Sequence, residues 1–238
     1  MNKNLFVVIA AAGASTRITS KIPKPFIIIN NKPMLWYSIF SFDKLDFVKG
    51  IFVVISEKDL EYSKKFEKKY LKKIYKFKSF IIGGKERSDS VYNALQYINK
   101  KNNPDFIAIH DAARPIIKQD LICKIFNEAV KYGSAAPGIQ VIDTIKKINN
   151  DYFISSHLNR EDLIAIQTPQ IFNFNNLLKS YNIYYKKKIN VTDDTEIYSN
   201  GHKNIKIVKG DLNLFKITFN RDIKTAKKIL RENKKQWN

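Results

Sequence analysis

Short apolar runs of strand length alternate along this chain with segments whose apolar residues recur at helical spacing, the pattern of an α/β fold built on a mainly parallel sheet. The runs predict strands over residues 5–10, 50–55, 77–82, 106–110 and 134–137, and the helical spacing predicts helices over 34–42, 60–70, 89–98 and 120–132. In the third helix Val91, Ala94, Leu95 and Ile98 share one face, with Ser88 or Asp89 as the expected cap. Past residue 137 the rhythm breaks. Residues 143–157 read as two short polar strands, 144–148 and 152–156, around the turn Asn149-Asn150-Asp151. A hairpin with so little apolar surface is unstable alone, so it is expected to pack on something else, a second subunit being one candidate. The α/β pattern resumes with a helix over 175–184, a helix after Thr192, strands over 205–208 and 215–218, and a last helix over 221–233. No linker, repeat or low-complexity segment divides the chain, which predicts one domain, 1–238, with an inserted arm at about 139–160.

Composition narrows the class. A 238-residue chain that is 44% hydrophobic can bury roughly 70 to 75% of its unfolded surface as one domain. No apolar run approaches the roughly 20 residues of a membrane span, and the first apolar segment runs into a turn without a cleavage site, which is read as cytoplasmic or already trimmed. The single Cys123 falls in a helical apolar pattern and is read as a core thiol. A net charge of +20 is what a nucleic-acid binder would show. The lysines, however, lie along solvent-type helix faces without interleaved aromatics, and the joint excess of Lys, Asn, Ile and Tyr is what an AT-rich coding sequence produces. Nucleic-acid binding is therefore the rival class, not the main reading.

Candidate chemistry gathers at predicted strand ends. Ala11-Ala12-Gly13-Ala14-Ser15-Thr16-Arg17 directly follows the first strand, at the edge where doubly wound sheets bind ligands. Small residues let backbone N–H groups approach phosphate oxygens and Arg17 adds a forked cation, although small residues alone equally suit an ordinary strand-to-helix turn. The loop is neither a Walker loop nor a G-x-G-x-x-G dinucleotide site. Next comes Pro23-Lys24-Pro25-Phe26, whose prolines predict an extended, non-helical setting for Lys24. A fixed ammonium beside a guanidinium suits the charge on a phosphorus centre under attack; the plain alternative is one more lysine in a lysine-rich loop. Gly83-Gly84-Lys85-Glu86-Arg87-Ser88-Asp89-Ser90 follows a strand and opens a helix, so its N–H groups can face the same edge and read a base. In His110-Asp111-Ala112-Ala113-Arg114-Pro115, Asp111 suits a ribose hydroxyl or a phosphate-bound metal and Arg114 an anion, or the pair makes a salt-bridged turn; His110 reads as a core imidazole. Arg160, Thr168-Pro169-Gln170, Thr192-Asp193-Asp194 and Lys216 lie at predicted element edges, and Thr192 also reads simply as a helix cap.

In this order, these motifs together with Asp143-Thr144-Ile145-Lys146 and Lys216-Ile217-Thr218 resemble the 2-C-methyl-D-erythritol 4-phosphate cytidylyltransferases, over about residues 5 to 230. The resemblance implies a Rossmann-like nucleotidyltransferase fold and transfer of CMP from CTP to the sugar-alcohol phosphate with release of pyrophosphate. It implies Mg²⁺ held mainly by the triphosphate, with Asp111 within its reach. By position, Arg17, Lys24, Arg160 and Lys216 would be catalytic, and Ala11, Ala12, Gly13, Gly84, Ser90 and Asp111 would hold CTP. Asp111, Arg114, Thr144, Thr168 and Thr192 would bind the acceptor. Thr144 and Arg160 would reach the neighbour's site in a homodimer, with no nucleic acid or membrane as partner. The related ribitol 5-phosphate cytidylyltransferases share the loop, the Thr-Pro-Gln and the Lys-Ile-Thr; Ala113 and Ser90-Val91 look more like the isoprenoid enzyme. Two positions depart from the pattern: Ser15 stands where a second loop glycine is usual, and Leu214 where an asparagine is.

Overall fold

The computed structural model describes residues 3–13, 17–187, 191–202, 204–233 and 237. In chain order the elements are β1 (Leu5–Ala10), β2 (Ile28–Ile29), β3 (Lys32–Pro33), α1 (Met34–Asp43), β4 (Val48–Ile55), α2 (Leu60–Tyr70), β5 (Phe77–Ile82), α3 (Arg87–Lys101), β6 (Phe106–Asp111), α4 (Gln119–Tyr132) and β7 (Ser134–Gln140). There follow β8 (Lys146–Ile148), β9 (Ile154–His157), β10 (Ile164–Ile166), β11 (Gln170–Asn173), α5 (Phe174–Lys187), α6 (Asp194–Ser199), β12 (Lys206–Lys209) and α7 (Asn220–Glu232).

Continuous apolar runs such as Leu5-Phe6-Val7-Val8-Ile9 predict strands buried on both faces. Leu5, Val7 and Ile9 point into one core with Ile39 of α1 and Ile125 of α4, while Phe6 and Val8 point into the other with Leu95 of α3 and Leu177 of α5. The described residues form an eight-stranded sheet in the order β10-β7-β11-β6-β1-β4-β5, with β12 also paired to β7. Strands β6, β1, β4 and β5 are mutually parallel, and β12 runs parallel to β7. From β1 the chain winds outward through β4 and β5, then returns to lay β6 on the other side of β1. That reversal opens a crevice at the carboxyl ends of β1 and β6.

The sheet is mixed as well as mainly parallel. β11 lies antiparallel between β6 and β7, and β10 antiparallel against β7; neither strand is predicted, because four and three residues carry too little period to read. Two predicted features are corrected. Residues 215–218 form no strand, and the segment is held by Ile217 N–H donating to the Ala113 carbonyl at 2.8 Å. Lys24–Phe26 is a single 3-10 turn, not extended chain, with Pro25 near its start where a missing N–H costs nothing. The arm is a two-stranded antiparallel sheet, β8 against β9, projecting with Ile148, Tyr152, Phe153 and Ile154 exposed. Among the described residues no helix is long and apolar enough to cross a membrane.

Candidate active site

Three strand ends build the crevice. The Ala11 N–H still donates to Val54 of β4 at 2.8 Å, Ala112 N–H to Ala10 at 3.1 Å, and Gly83 N–H to Ile55 at 2.9 Å, so each loop leaves its strand in a fixed direction. Small residues are a steric requirement at the third. A Cβ on Gly83 would collide with Ser90 Oγ, and one on Gly84 with Asp89 Cβ. Ser90 Oγ accepts from the Gly84 N–H at 3.1 Å and donates to the Glu86 carbonyl at 3.1 Å, pinning the glycine turn onto the first turn of α3. The helix is capped one turn earlier than expected, by Glu86, with Asp89 accepting from the Glu86 N–H.

The result is a cavity of about 480 Å³ lined by Ala11, Ala12, Gly13, Gly84 and Ser90 on its backbone-rich side and by Arg17, Lys24, Lys216 and Asp111 on its charged side. Burial and the neighbouring charges of Lys216 and Arg17 depress the Lys24 ammonium to about 8, which Asp111 and Asp222 only partly offset. Among the described residues no carboxylate lies within salt-bridge distance of Lys24. A half-buried lysine pressed by two other cations and touched by no carboxylate of the described residues is suited to an anion.

Asp111 is the pivot of the charged side. Burial alone would raise its carboxyl, but Arg87 (Nε to Oδ1, 3.3 Å), Lys216 (Nζ to Oδ2, 2.8 Å) and Arg114 (Nε to Oδ2, 3.8 Å) hold it far below the ordinary carboxylate range. Arg87 reaches on to the fully buried Asp194 at 2.7 Å, which also accepts from Tyr181 Oη at 2.6 Å. The neighbouring Asp193 caps α6 and accepts from Gln170 Nε2 at 2.9 Å. Two residues earlier, Thr168 Oγ1 accepts from the Asp111 N–H at 3.0 Å. Four segments far apart in sequence therefore close a ring: 111 to 87, 87 to 194, 193 to 170, and 168 back to 111.

The predicted site residues divide accordingly. Arg17, Lys24, Lys216, Ala11, Ala12, Gly13, Gly84, Ser90 and Asp111 come together in the cavity. Thr168 does not line it: it is buried, and its hydroxyl is engaged by Asp111 and by His110 Nδ1 at 3.1 Å. Arg114 is also set back, donating from Nη1 to the Leu214 carbonyl at 2.8 Å, while its buried Nε finds no hydrogen-bond partner among the described residues. Thr192 lines a separate cavity of about 370 Å³ on the far side of Arg87, and it is not the cap of α6; its N–H and hydroxyl both go to Glu196. Thr144 and Arg160 are exposed on the arm, where Arg160 Nη1 donates to Ile142 O at 3.0 Å. His110 is a core imidazole as read, fully buried and driven by burial down to about 4. Cys123 is only partly buried, packed against the core. Leu214 is fully buried and its carbonyl serves Arg114, while Lys216 is set by Asp111 and by the Ile217–Ala113 bond. Ser15 lies outside the described residues. Arg87, Asp194, Lys58, Lys85 and Thr218 belong to the site or its frame and went unassigned from sequence. Arg87 carried one signal, standing one turn from Ser90 after a glycine pair.

The family model for 2-C-methyl-D-erythritol 4-phosphate cytidylyltransferase matches residues 5–232. A protein of that name from Clostridium botulinum is 39% identical over 230 residues, covering 97% of this chain and 98% of its own. One from Caldanaerobacter subterraneus is 37% identical over 231 residues, covering 96% of this chain and 100% of its own. The crystal structure of 4-diphosphocytidyl-2C-methyl-D-erythritol synthase from Anaerococcus prevotii shares the fold, with a TM-score of 0.83 at 24% identity over 97% of each chain. Full-length matches of this strength, on a chain whose cations and small-residue loops meet in one crevice, make it a member of the 2-C-methyl-D-erythritol 4-phosphate cytidylyltransferase family.

Proposed function

We propose that this protein transfers CMP from CTP to 2-C-methyl-D-erythritol 4-phosphate, giving 4-diphosphocytidyl-2-C-methyl-D-erythritol and pyrophosphate for isoprenoid precursor synthesis in the cytoplasm. The observation that carries the reading is the cluster Arg17, Lys24 and Lys216, in which burial and then mutual repulsion depress Lys24, beside a backbone-lined pocket at a sheet switch point. The acceptor's phosphate oxygen attacks the α-phosphorus, the bond to the β-phosphate oxygen breaks, and pyrophosphate departs with the electron pair. No protein nucleophile is required. Catalysis is positioning plus cations placed where charge gathers.

In this reading the backbone of Ala11 to Gly13 and the Gly84–Ser90 turn hold cytidine and phosphates, and Arg17 and Lys24 face the α-phosphate. Lys216 faces the acceptor's phosphate, with Arg114 set back behind it against Asp111 and Thr192 on the far side of Arg87. Thr168 acts from beneath, through Asp111. Asp111 and Glu86 are the acids of the cavity wall, and among the described residues no group of three metal-ligating side chains exists. That donor set fits a divalent ion carried in by the triphosphate, with Asp111 as its protein ligand. Mg²⁺ there would neutralise phosphate charge.

The arm supports a homodimer with shared sites. The arm exposes Ile148, Phe153 and Ile154, and Arg160 and Thr144 would enter the site of the second copy. Pyrophosphate release with CTP and each acceptor in turn tests the substrate. Release with 2-C-methyl-D-erythritol 4-phosphate is expected; activity with ribitol 5-phosphate alone overturns the reading.

A further inference from the structure

Helix α5 carries tyrosines at 181, 184 and 185, the i, i+3, i+4 spacing that puts three side chains on one helix face. Their hydroxyls reach three consecutive residues at the start of α3: Arg87, Ser88 and Asp89. Tyr181 Oη donates to Asp194 Oδ1 at 2.6 Å, and Arg87 Nη1 donates to the other oxygen of that carboxylate at 2.7 Å. Tyr184 Oη and Ser88 Oγ stand 3.4 Å apart. Tyr185 Oη donates to Asp89 Oδ1, a bond that holds the Asp89 carboxyl below its ordinary range. The rings stack on α3 as well, with the Tyr92 centroid 4.3 Å from that of Tyr185 and 6.0 Å from that of Tyr181.

Asp89 is where this contact meets the cavity. Its second oxygen accepts from the Glu86 N–H at 3.0 Å, so the carboxylate is divided between α5 and the glycine turn. Its Cβ packs so closely on Gly84 that the glycine has no room for a side chain. Gly84 in turn donates to Ser90 Oγ at 3.1 Å, and Gly84, Glu86 and Ser90 all line the main cavity. A shift of Asp89 therefore moves the cavity wall. We infer that Tyr185 is a positioning residue for the nucleotide: it fixes Asp89, and through Asp89 it sets the Gly84–Ser90 turn against which CTP lies, while Tyr184 and Tyr181 steady Ser88 and Arg87 beside it. The inference rests on the CTP reading above. Docking of α5 needs none of these hydroxyls, because Leu177 and the Tyr181 ring share a core with Val91 and Leu95. Apolar contact is non-directional, whereas a hydroxyl bonded to a carboxylate fixes both distance and angle.

The test compares the unsubstituted enzyme with Tyr185→Phe, which keeps the stacked ring and removes the hydroxyl. Its control is Tyr92→Phe, which removes a hydroxyl of the same stack that donates to Asn182 at 2.8 Å and not to the turn. CTP affinity is measured by calorimetry without acceptor, and kcat and both KM values under turnover. Tyr185→Phe is expected to weaken CTP binding and raise its KM roughly 5-fold, with kcat and the acceptor KM changed less than about two-fold. Tyr92→Phe should leave every one of these values within about two-fold. Asp89→Asn should weaken CTP binding at least as much as Tyr185→Phe, and the double variant should be no weaker than Asp89→Asn, because the two residues act through one bond. CTP binding unchanged in Tyr185→Phe, equal losses in Tyr185→Phe and Tyr92→Phe, or additive losses in the double variant overturns the inference. A Tyr185→Phe chain that does not fold overturns it too, since the hydroxyl would then hold the helix and not the turn. If the unsubstituted enzyme neither binds CTP nor makes a cytidylyl product, the functional reading fails instead, so the two failures are distinguishable.

Discussion

Lys24 has two roles in tension. Its pKa is drawn from 10.5 down to about 8 by burial and by Lys216 and Arg17, so the cation needed at phosphorus is present below that pH and lost above it. kcat/KM for CTP should fall as pH rises through about 8 in the free enzyme, and the fall should vanish in Lys24→Arg. A flat profile to pH 10 would mean that Lys24 stays charged or takes no part. A folded pKa below the unfolded value also means that holding the charged lysine opposes folding at neutral pH, with stability regained as pH rises from about 8 toward 10.5. Lys24→Met should therefore raise the thermal midpoint at pH 7 while abolishing turnover. Asp194 belongs to the frame. It is fully buried and bonded to Arg87 and Tyr181, so Asp194→Asn should cost about 3 kcal/mol in urea unfolding, as for a broken buried pair. A loss under about 1 kcal/mol would mean that the ring through Arg87 and Asp111 does not hold the site.

Strands and helices with strong period were readable to within three residues of their ends: β1, α2 and β5 match, and α1, α4 and α7 differ by a residue. What escaped was short or non-local. β10 and β11 owe their existence to pairing with β7 and β6, not to their own composition. The site was legible where a motif follows a strand, as at Ala11–Gly13, Gly84 and Asp111. It was not legible where a side chain is turned inward by a partner distant in sequence: nothing local to Thr168 says that its hydroxyl is used up by Asp111 and His110. The arm carries its own prediction. If Arg160 serves the neighbour's cavity, mixing Arg160→Ala with Lys24→Ala chains should restore about a quarter of full activity, since half the dimers are mixed and each has one complete site. No recovery after verified subunit exchange would confine each site to one chain.

At the scale of the molecule, the charge of +20 is spread over solvated faces such as Lys64, Lys65, Lys68 and Lys69 of α2, each exposed. Any affinity for duplex DNA should therefore be weak and gone by about 0.2 M salt. KM for CTP should also rise with salt, since the cavity draws a polyanion. Tight DNA binding at that salt would revive the rival class. The central claim, that cations at the sheet's switch point transfer a cytidylyl group, is tested most directly by pyrophosphate release. CTP, UTP and ATP should each be supplied with and without 2-C-methyl-D-erythritol 4-phosphate, for the unsubstituted enzyme and Lys24→Ala in parallel. The account predicts release that needs the acceptor, favours CTP, and falls roughly 100-fold in Lys24→Ala with folding intact. Release without the acceptor, or turnover indifferent to Lys24, would contradict it.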